Sequence, residues 1–450
     1  MERSLTTGSV LKNVIRFSLP YLLSYFLQTL YGMADLFIIG QFEEVSSTTA
    51  VSVGSQFMHM VTVMIVGLAM GATVNIAQAV GANDRPRTSA CIGNTATLFL
   101  SLSVILTAVL LLCRDGIIAI LSTPAEAVAG TADYLTICFI GIPFITAYNI
   151  ISSIFRGLGD SKSPMYFIAV ACAVNIALDY LFMGALRLGP AGAALGTTLS
   201  QAFSVLISLA VIRRRGSIAL SRNDFRLNRE VTGRILRIGI PVTLQDGFIQ
   251  VSFMVITIIA NRRGLTDAAA VGIVEKIMSF LFLVPSSVLS TVSALGAQNI
   301  GAGKPKRALE TMRYAAALAC GLSFFVSVLV QFTAEPIVDL FTDAARSDGA
   351  EVIRRGGQYL RSYVWDSCLA GLHFAFSGYF CARGRSGLSF LHNLLSILLV
   401  RIPGAYFASA LFPQTLFPMG LASTFGSLFS DIVCVIAFIW LMQRDKRSKI

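Results

Sequence analysis

Long runs of apolar residues recur along the chain at lengths that predict membrane-spanning helices. Twelve stretches are each about 20 residues or more long, which is what an α-helix needs to cross a hydrocarbon core of about 30 Å. They cover residues 14–39, 48–79, 91–112, 131–155, 164–186, 190–212, 236–260, 268–297, 313–334, 355–381, 388–410 and 418–442. The pattern therefore predicts an all-α membrane protein with twelve transmembrane helices.

The composition favours a surface that faces lipid. Of the 450 residues, 55% are hydrophobic and only 13% are charged, whereas a soluble globular chain carries about 25% charged residues. So large an apolar fraction cannot be hidden inside one or two soluble cores. The net charge of +11 would favour nucleic acid as the partner of a soluble protein, but here the basic residues lie in short loops between apolar runs. We therefore expect membrane lipid, and no nucleic acid, as a partner.

The distribution of basic residues predicts the orientation of the chain. If the N-terminus is cytoplasmic, the tails and alternate loops on that side hold 25 of the 35 lysines and arginines, and the loops on the other side hold 8. Basic residues concentrate in the cytoplasmic loops of membrane proteins. The count predicts a multi-pass protein of the cell membrane (plasma or inner membrane) with both termini in the cytoplasm.

Short motifs of the first half recur in the second half. Residues 77–82 match 297–302, residues 16–20 match 237–241, and Arg156-Gly157 matches Arg383-Gly384. Six helices per repeat keep both copies in the same orientation, which predicts two parallel six-helix bundles related by a pseudo-two-fold axis normal to the membrane. The predicted domains are a first lobe at 1–212, an arginine-rich cytoplasmic linker at 213–235 and a second lobe at 236–450.

Acidic residues inside the predicted spans are the first candidates for chemistry, because a carboxylate in lipid costs a few kcal/mol unless it faces a cavity, pairs or binds a cation. They are Asp35, Asp179, Asp246, Glu275, Asp366 and Asp431.

Four polar residues of the first half lie at a similar depth, counted at about 1.5 Å per residue: Asp35, Asn175, Asp179 and Thr197. Two carboxylates, an amide and a hydroxyl suit a hard monovalent cation or an exchangeable proton. The alternative is that these groups only satisfy each other between helices.

The second half does not repeat this cluster. The position that repeats Asp35 is Ile256, so any ion coupling should depend on the first half. A buried structural role and a functional role remain equally open for the polar residues of the second half. These are Asp246, the adjacent pair Glu275 and Lys276, which point to different sides of a helix, and Asp366.

The chain resembles the multidrug and toxic compound extrusion (MATE) family over essentially its whole length. The resemblance rests on Pro20, residues 31–35, 81–82, 156–161, 175–179 and 301–303. The set Asp35, Asn175 and Asp179 is similar to the damage-inducible and archaeal branch. The resemblance implies a cation site at Asp35, Asn175, Asp179 and Thr197. It also implies a substrate chamber that includes Gln28, Tyr134 and Asn149, and Tyr31 joins this set because it shares a helix face with Gln28 and Asp35.

These observations together predict a secondary active efflux transporter. Inward H⁺ or Na⁺ would drive export of amphipathic, cationic organic compounds by alternating access, with no cofactor and no metal other than Na⁺. No nucleotide-binding GxxxxGK[ST] motif is present to use ATP. We expect a monomer.

Two alternatives remain open. A lipid-linked oligosaccharide flippase has a similar architecture but should line its cavity with Arg or Lys. A multi-spanning membrane enzyme would need a catalytic constellation, and the sequence offers none.

Overall fold

The computed structural model is almost entirely helical, and it describes residues 5–215, 220–342 and 349–447. The first half contains α1 (Val10–Phe42), α2 (Val45–Gly81), α3 (Arg85–Ile120), α4 (Val128–Gly157), α5 (Lys162–Asp179) and α6 (Gly189–Arg215). The second half contains α7 (Arg229–Asn261), α8 (Leu265–Leu281), α9 (Leu283–Gly301), α10 (Pro305–Asp339), α11 (Gly349–Tyr363), α12 (Trp365–Ala382), α13 (Ser386–Ser396), α14 (Ile402–Leu411) and α15 (Phe417–Arg447). Short 3-10 turns lie at Ala125–Ala127 and Arg222–Phe225, and π-helical turns lie at Tyr180–Ala185 and Ile397–Arg401.

The predicted spans correspond to these helices, which confirms the all-α membrane fold. Within the described ranges, eleven helical stretches are long and apolar enough to cross a membrane. The twelfth prediction, 355–381, falls on α11 and α12, which are separated at Val364. The Val364 carbonyl accepts hydrogen bonds from the hydroxyls of Ser367 at 2.8 Å and Ser327 at 3.2 Å. Side chains that compete for a helical carbonyl interrupt the helix at that point.

The chain forms two compact units, each built around one buried helix. In the first, which consists chiefly of Leu19–Thr243, α4 packs against α2, α3 and α6. In the second, which takes in Leu244–Ile300 and most residues from Lys304 onward, α12 packs against α10 and α15. The central helices α4 and α12 are counterparts in the sequence repeat. The predicted division at 1–212, 213–235 and 236–450 stays a prediction.

The C-terminal caps of α4 and α12 give the register of the repeat. Each helix is followed by a glycine with positive φ, Gly159 at 91° and Gly384 at 67°. In both, the glycine amide donates to the carbonyl three residues back, and the next amide donates to the carbonyl five residues back, which is the Schellman motif. The match of Arg156 with Arg383 is therefore wrong by two residues, because insertions between the halves raise the offset to 225 here. Arg156 corresponds to Cys381.

Part of the predicted linker is held against α3. The Asn94 side chain donates to the Asp224 carbonyl at 3.1 Å and accepts from the Asn228 amide at 2.6 Å. The Thr97 hydroxyl donates to the Phe225 carbonyl at 2.8 Å. Residues 216–219 of the linker lie outside the described residues. The docked segment belongs to the first unit.

A single arginine holds the connection between α14 and α15. Arg263 donates through Nε to Asp267 at 2.6 Å, and its two terminal nitrogens donate to four backbone carbonyls between residues 409 and 415. Arg263 and Asp267 are both buried in this arrangement, with side chains 7% and 2% exposed. Through these hydrogen bonds, the buried guanidinium of Arg263 links the end of α7, the start of α8 and the loop before α15.

We predict that Arg263→Ala destabilises the protein by about 3 kcal/mol, because it leaves several backbone carbonyls without their donor and leaves Asp267 with Arg355 as its remaining partner. Arg262→Ala is the matched control, since its side chain is exposed. The measurement is thermal unfolding of the purified chain in detergent, followed by intrinsic fluorescence. Equal melting temperatures for the two variants would show that the Arg263 network contributes nothing to stability.

Candidate functional site

The two acidic residues of the first-half cluster are both buried. Asp35 lies on α1 and is 3% exposed, and Asp179, the last residue of α5, is fully buried. A π-helical turn begins immediately after Asp179, at Tyr180. Such turns insert an extra residue into a helix and occur frequently at functional sites. Asp179 thus lies at the junction of α5 and this π-helical turn.

The structure brings the four predicted cation-site residues together. The Thr197 hydroxyl of α6 donates to Asp35 Oδ2 at 3.1 Å, and the Asn175 amide donates to Asp179 Oδ1 at 3.4 Å. The carboxyl groups of Asp35 and Asp179 also interact directly with each other. Helices α1, α5 and α6 thus converge on one polar cluster inside the first unit.

The cluster retains unused acceptor atoms. Asp35 Oδ1, Asp179 Oδ2 and Asn175 Oδ1 are buried and accept no hydrogen bond from the described residues. Two carboxylates this close in a weakly solvated site cannot both remain charged without a proton or a cation between them. The arrangement therefore offers oxygen ligands to a hard monovalent cation or a place for one shared proton.

Gly196 shapes this cluster and was not predicted from the sequence. A Cβ atom at this position of α6 would lie 2.1 Å from Asp179 Oδ1 and 3.6 Å from Asn175 Nδ2. Only glycine therefore lets the α6 backbone approach the Asp179 carboxylate. The sequence feature that could have identified Gly196 is its position inside an apolar span, one residue before Thr197.

Tyr31 lies at the edge of the cluster, beside Asp35, Thr197 and Gln201. Gln201 follows Thr197 by one helical turn on α6 and was also missed, although the i, i+4 spacing from Thr197 could have identified it. Gln28, one turn before Tyr31 on α1, is half-buried.

The two predicted chamber residues of α4 lie far apart. Tyr134 is 2% exposed, packs against Gly54 and lies near Tyr31 and Asp35. Asn149 is 5% exposed, and its amide donates to the Ile145 carbonyl of its own helix at 2.8 Å. Their separation along the helix is about 22 Å. Only Tyr134 therefore borders the acidic cluster.

In the second unit, Asp366 is neutralised by a residue of its own chain. Arg401 donates to Asp366 Oδ2 at 2.6 Å, and both side chains are buried. Arg401 ends the π-helical turn at Ile397–Arg401. The sequence placed both residues inside spans but did not pair them, because periodicity does not show which faces of α12 and α14 meet. The guanidinium supplies the counter-charge that a free cation would otherwise provide, and Asp366 Oδ1 remains without a hydrogen-bond partner among the described residues.

Other polar residues of the second half lie near this pair: Asp431 is close to Asp366, and Tyr359 and Tyr363 are close to Asp366, Arg401 and Glu275. Both carboxylate oxygens of Asp431 are buried without a hydrogen-bond partner among the described residues. Glu275 accepts a hydrogen bond from the Thr257 hydroxyl at 3.0 Å, whereas Lys276 is exposed. Asp246 is half-buried and forms no ion pair with any residue the structure describes. No group of three or more His, Cys, Asp or Glu side chains within those ranges could hold a metal ion.

Comparison with known proteins identifies the family. A family model described as MatE matches residues 20–181 and 241–407, most of both halves. The chain belongs to the MATE family. The resemblance seen in the sequence is thus confirmed, and this MATE-family chain is a multi-pass membrane protein of a transporter family.

Individual relatives span nearly the whole chain. The probable multidrug resistance protein YpnP of Bacillus subtilis (strain 168) is 29% identical over 99% of this chain and 98% of its own length. The multidrug export protein MepA of Staphylococcus aureus (strain MSSA476) is 25% identical over 97% of this chain and 95% of its own length. The crystal structure of a MATE protein in complex with MaL6 has a TM-score of 0.89 at 22% identity, covering 99% and 98% of the two chains, and it shows the same fold.

If the acidic cluster of this MATE-family chain binds a cation, Gly196→Ala should weaken that binding and the export it drives on the order of 10- to 100-fold, because the new methyl group must push the Asp179 carboxylate aside. The protein should stay folded, since the end of a side chain can move. Gly116→Ala on α3 is the matched control, because a Cβ there meets nothing within 4 Å. Gradient-driven export and thermal stability should be measured for both. Equal export by both variants would mean that Asp179 can move without consequence.

Proposed function

We propose that this chain is an efflux antiporter in which inward movement of H⁺ or Na⁺ drives export of amphipathic, cationic organic compounds. The observation that carries the proposal is the buried pair Asp35 and Asp179, which has three unused acceptor oxygens around it and no basic partner among the described residues. The printed names of the relatives, a probable multidrug resistance protein and a multidrug export protein, support an efflux role and a transporter rather than an enzyme.

The coupling follows from linkage between the two ligands. A cation that enters the Asp35/Asp179 site must stabilise one arrangement of the transporter more than the other, and the organic substrate must have the opposite preference. A ligand with equal affinity for both arrangements does not shift the equilibrium between them and so cannot drive transport. A membrane potential contributes about 2.3 kcal/mol per charge per 100 mV to this cycle. We place the protein in the plasma or inner membrane as a monomer surrounded by lipid, with both termini in the cytoplasm.

The charges inside the spans favour cationic substrates over pyrophosphate-linked lipids. A flippase for such lipids needs several available basic side chains. In the second unit, Arg401 is already paired with Asp366, and Lys276 is exposed. The acidic cluster of the first unit also makes the surrounding potential negative, which attracts organic cations.

The test is transport by Asp35→Asn in proteoliposomes. Asparagine keeps the volume and hydrogen-bonding capacity of Asp35 but removes the exchangeable charge, so it imitates a permanently protonated site. The variant should insert and fold, because a neutral amide is cheaper in the membrane than a carboxylate. Export of a fluorescent lipophilic cation such as ethidium should fall at least about tenfold, because the coupling ion can no longer be released and recaptured.

The control is Asp115→Asn, an exposed carboxylate paired with Arg114, which should export at the wild-type rate. Imposing a pH gradient and a sodium gradient separately identifies the coupling ion. Equilibrium binding of the same dye to the same preparations separates lost coupling from lost binding. Export by Asp35→Asn at the wild-type rate would mean that Asp35 is only a packing partner, and the proposed mechanism would be wrong.

A further inference from the structure

A second polar cluster in the first unit lies on α4, away from the acidic residues. Tyr148, Ser152 and Arg156 are spaced i, i+4 and i+8, so they form one stripe along the helix. They are 2%, 1% and 8% exposed. Nothing in the proposed antiport cycle uses these residues, although Arg156 belongs to one of the motifs that carry the family resemblance.

Arg156 is a buried cation without an acidic partner. Its guanidinium lies over the Tyr21 ring at 4.2 Å, and the groups that interact with its charge are the tyrosines at 21, 25 and 148. No carboxylate of the described chain pairs with it. An aromatic face stabilises a cation, but a buried charge normally also has a counter-charge. Arg156 also forms a hydrogen bond with Tyr21, and because a guanidinium has five N–H donors it can still bind an anion.

The neighbouring hydroxyls are open as well. Tyr148 Oη and Ser152 Oγ are buried and have no hydrogen-bond partner within the described ranges. Side chains on a helix tilt toward its N-terminus, so the Arg156 guanidinium is directed back along α4 toward Ser152. Buried polar groups that lack partners require an explanation. Here each open group is able to donate a hydrogen bond.

The corresponding stripe in the second unit has polar partners at two of its three positions. The register given by the helix caps aligns Tyr148, Ser152 and Arg156 with His373, Ser377 and Cys381. His373 Nε2 lies 3.3 Å from the Ser427 hydroxyl, and the Ser377 hydroxyl lies 2.8 Å from His392 Nε2. Cys381 carries no guanidinium and is fully buried. His373 Nδ1 has no hydrogen-bond partner among the described residues, but these counterpart positions of the second unit include no basic side chain comparable to Arg156.

We propose that Tyr148, Ser152 and Arg156 form an anion-binding site for the carboxylate group of a small organic ligand. A carboxylate matches the planar fork of a guanidinium and accepts two parallel hydrogen bonds from it. The hydroxyls of Tyr148 and Ser152 supply further donors. The site is at the end of α4 that the distribution of basic residues places in the cytoplasm.

This site is distinct from the acidic cluster and goes beyond the proposed antiport. Cys138 of α4 lies near Asp35, and Arg156 follows it by about 27 Å along the helix. The acidic cluster presents acceptors to a cation, whereas the α4 stripe presents donors to an anion. Binding can be tested without transport, so failure of one proposal is distinguishable from failure of the other.

The test compares benzoate with benzamide, its neutral isostere, on the purified full-length chain in detergent. Binding is measured by calorimetry, and the melting temperature is followed as each compound is added at constant sodium chloride. Benzoate should bind and raise the melting temperature, since a ligand of the native state stabilises it, and benzamide should do neither. Equal effects of the two compounds would indicate apolar binding only and would overturn the proposal.

Variants assign the binding to the three residues. Arg156→Gln should weaken benzoate binding at least about tenfold, whereas Arg114→Gln, which changes an arginine on α3, should leave it unchanged. Tyr148→Phe and Ser152→Ala should each weaken binding about two- to tenfold without lowering stability, because they remove hydroxyls that have no partner in the protein. These two variants keep the test decisive if Arg156→Gln fails to fold. Wild-type benzoate affinity in both hydroxyl variants and in any folded Arg156→Gln would overturn the proposal.

Discussion

The central physical constraint in this molecule is the cost of burying charge inside a membrane protein. Asp35 and Asp179 lie together in the first unit and interact directly, with Thr197 and Asn175 as their hydrogen-bond donors. Removing two carboxyl groups from water is tolerable only if a proton or a cation accompanies them. That requirement makes the cluster responsive to ion gradients, and the rest of the proposed cycle depends on it.

In the second unit, the charge of the buried Asp366 is compensated by another residue of the chain. Asp366 has Arg401 as a permanent partner at 2.6 Å, so its charge is compensated whatever the ion concentrations are. The two units share a helical framework, as the matching caps after α4 and α12 show. They differ in how their buried carboxyl groups are compensated: Asp35 and Asp179 have no basic partner among the described residues, whereas Asp366 is paired with Arg401. The proposed function is therefore asymmetric even though the backbone is repeated.

Much of this arrangement could be predicted from the sequence, and the failures have identifiable causes. Apolar run length gave the spans, and depth within the spans grouped Asp35, Asn175, Asp179 and Thr197, because helical rise converts residue number into distance. Depth does not give the rotation of one helix against another, so the Asp366–Arg401 pair was missed. It also does not show a close backbone approach, so Gly196 was missed.

Two further errors concern local backbone structure. The interruption between α11 and α12 depends on the hydroxyls of Ser327 and Ser367, which meet the Val364 carbonyl only in the folded chain. Arg156 was paired with Arg383 because both residues are followed by glycine, whereas the C-terminal caps of the two helices align Arg156 with Cys381. The offset between the halves is 225 there instead of the 227 that the Arg-Gly match implied, and the positive-φ glycines at 159 and 384 show it.

The central claim is that the first unit alone holds the coupling ion. The most direct measurement is the number of protons or sodium ions that the purified chain releases when it binds a fluorescent lipophilic cation. Wild-type protein should release about one ion per chain, as reciprocal linkage requires. A variant with both Asp366→Asn and Arg401→Gln, which removes the second-unit pair without leaving a lone charge, should release the same number, and Asp179→Asn should release none. Ion release that survives Asp179→Asn but disappears in the double variant would place the coupling site in the second unit and contradict the account.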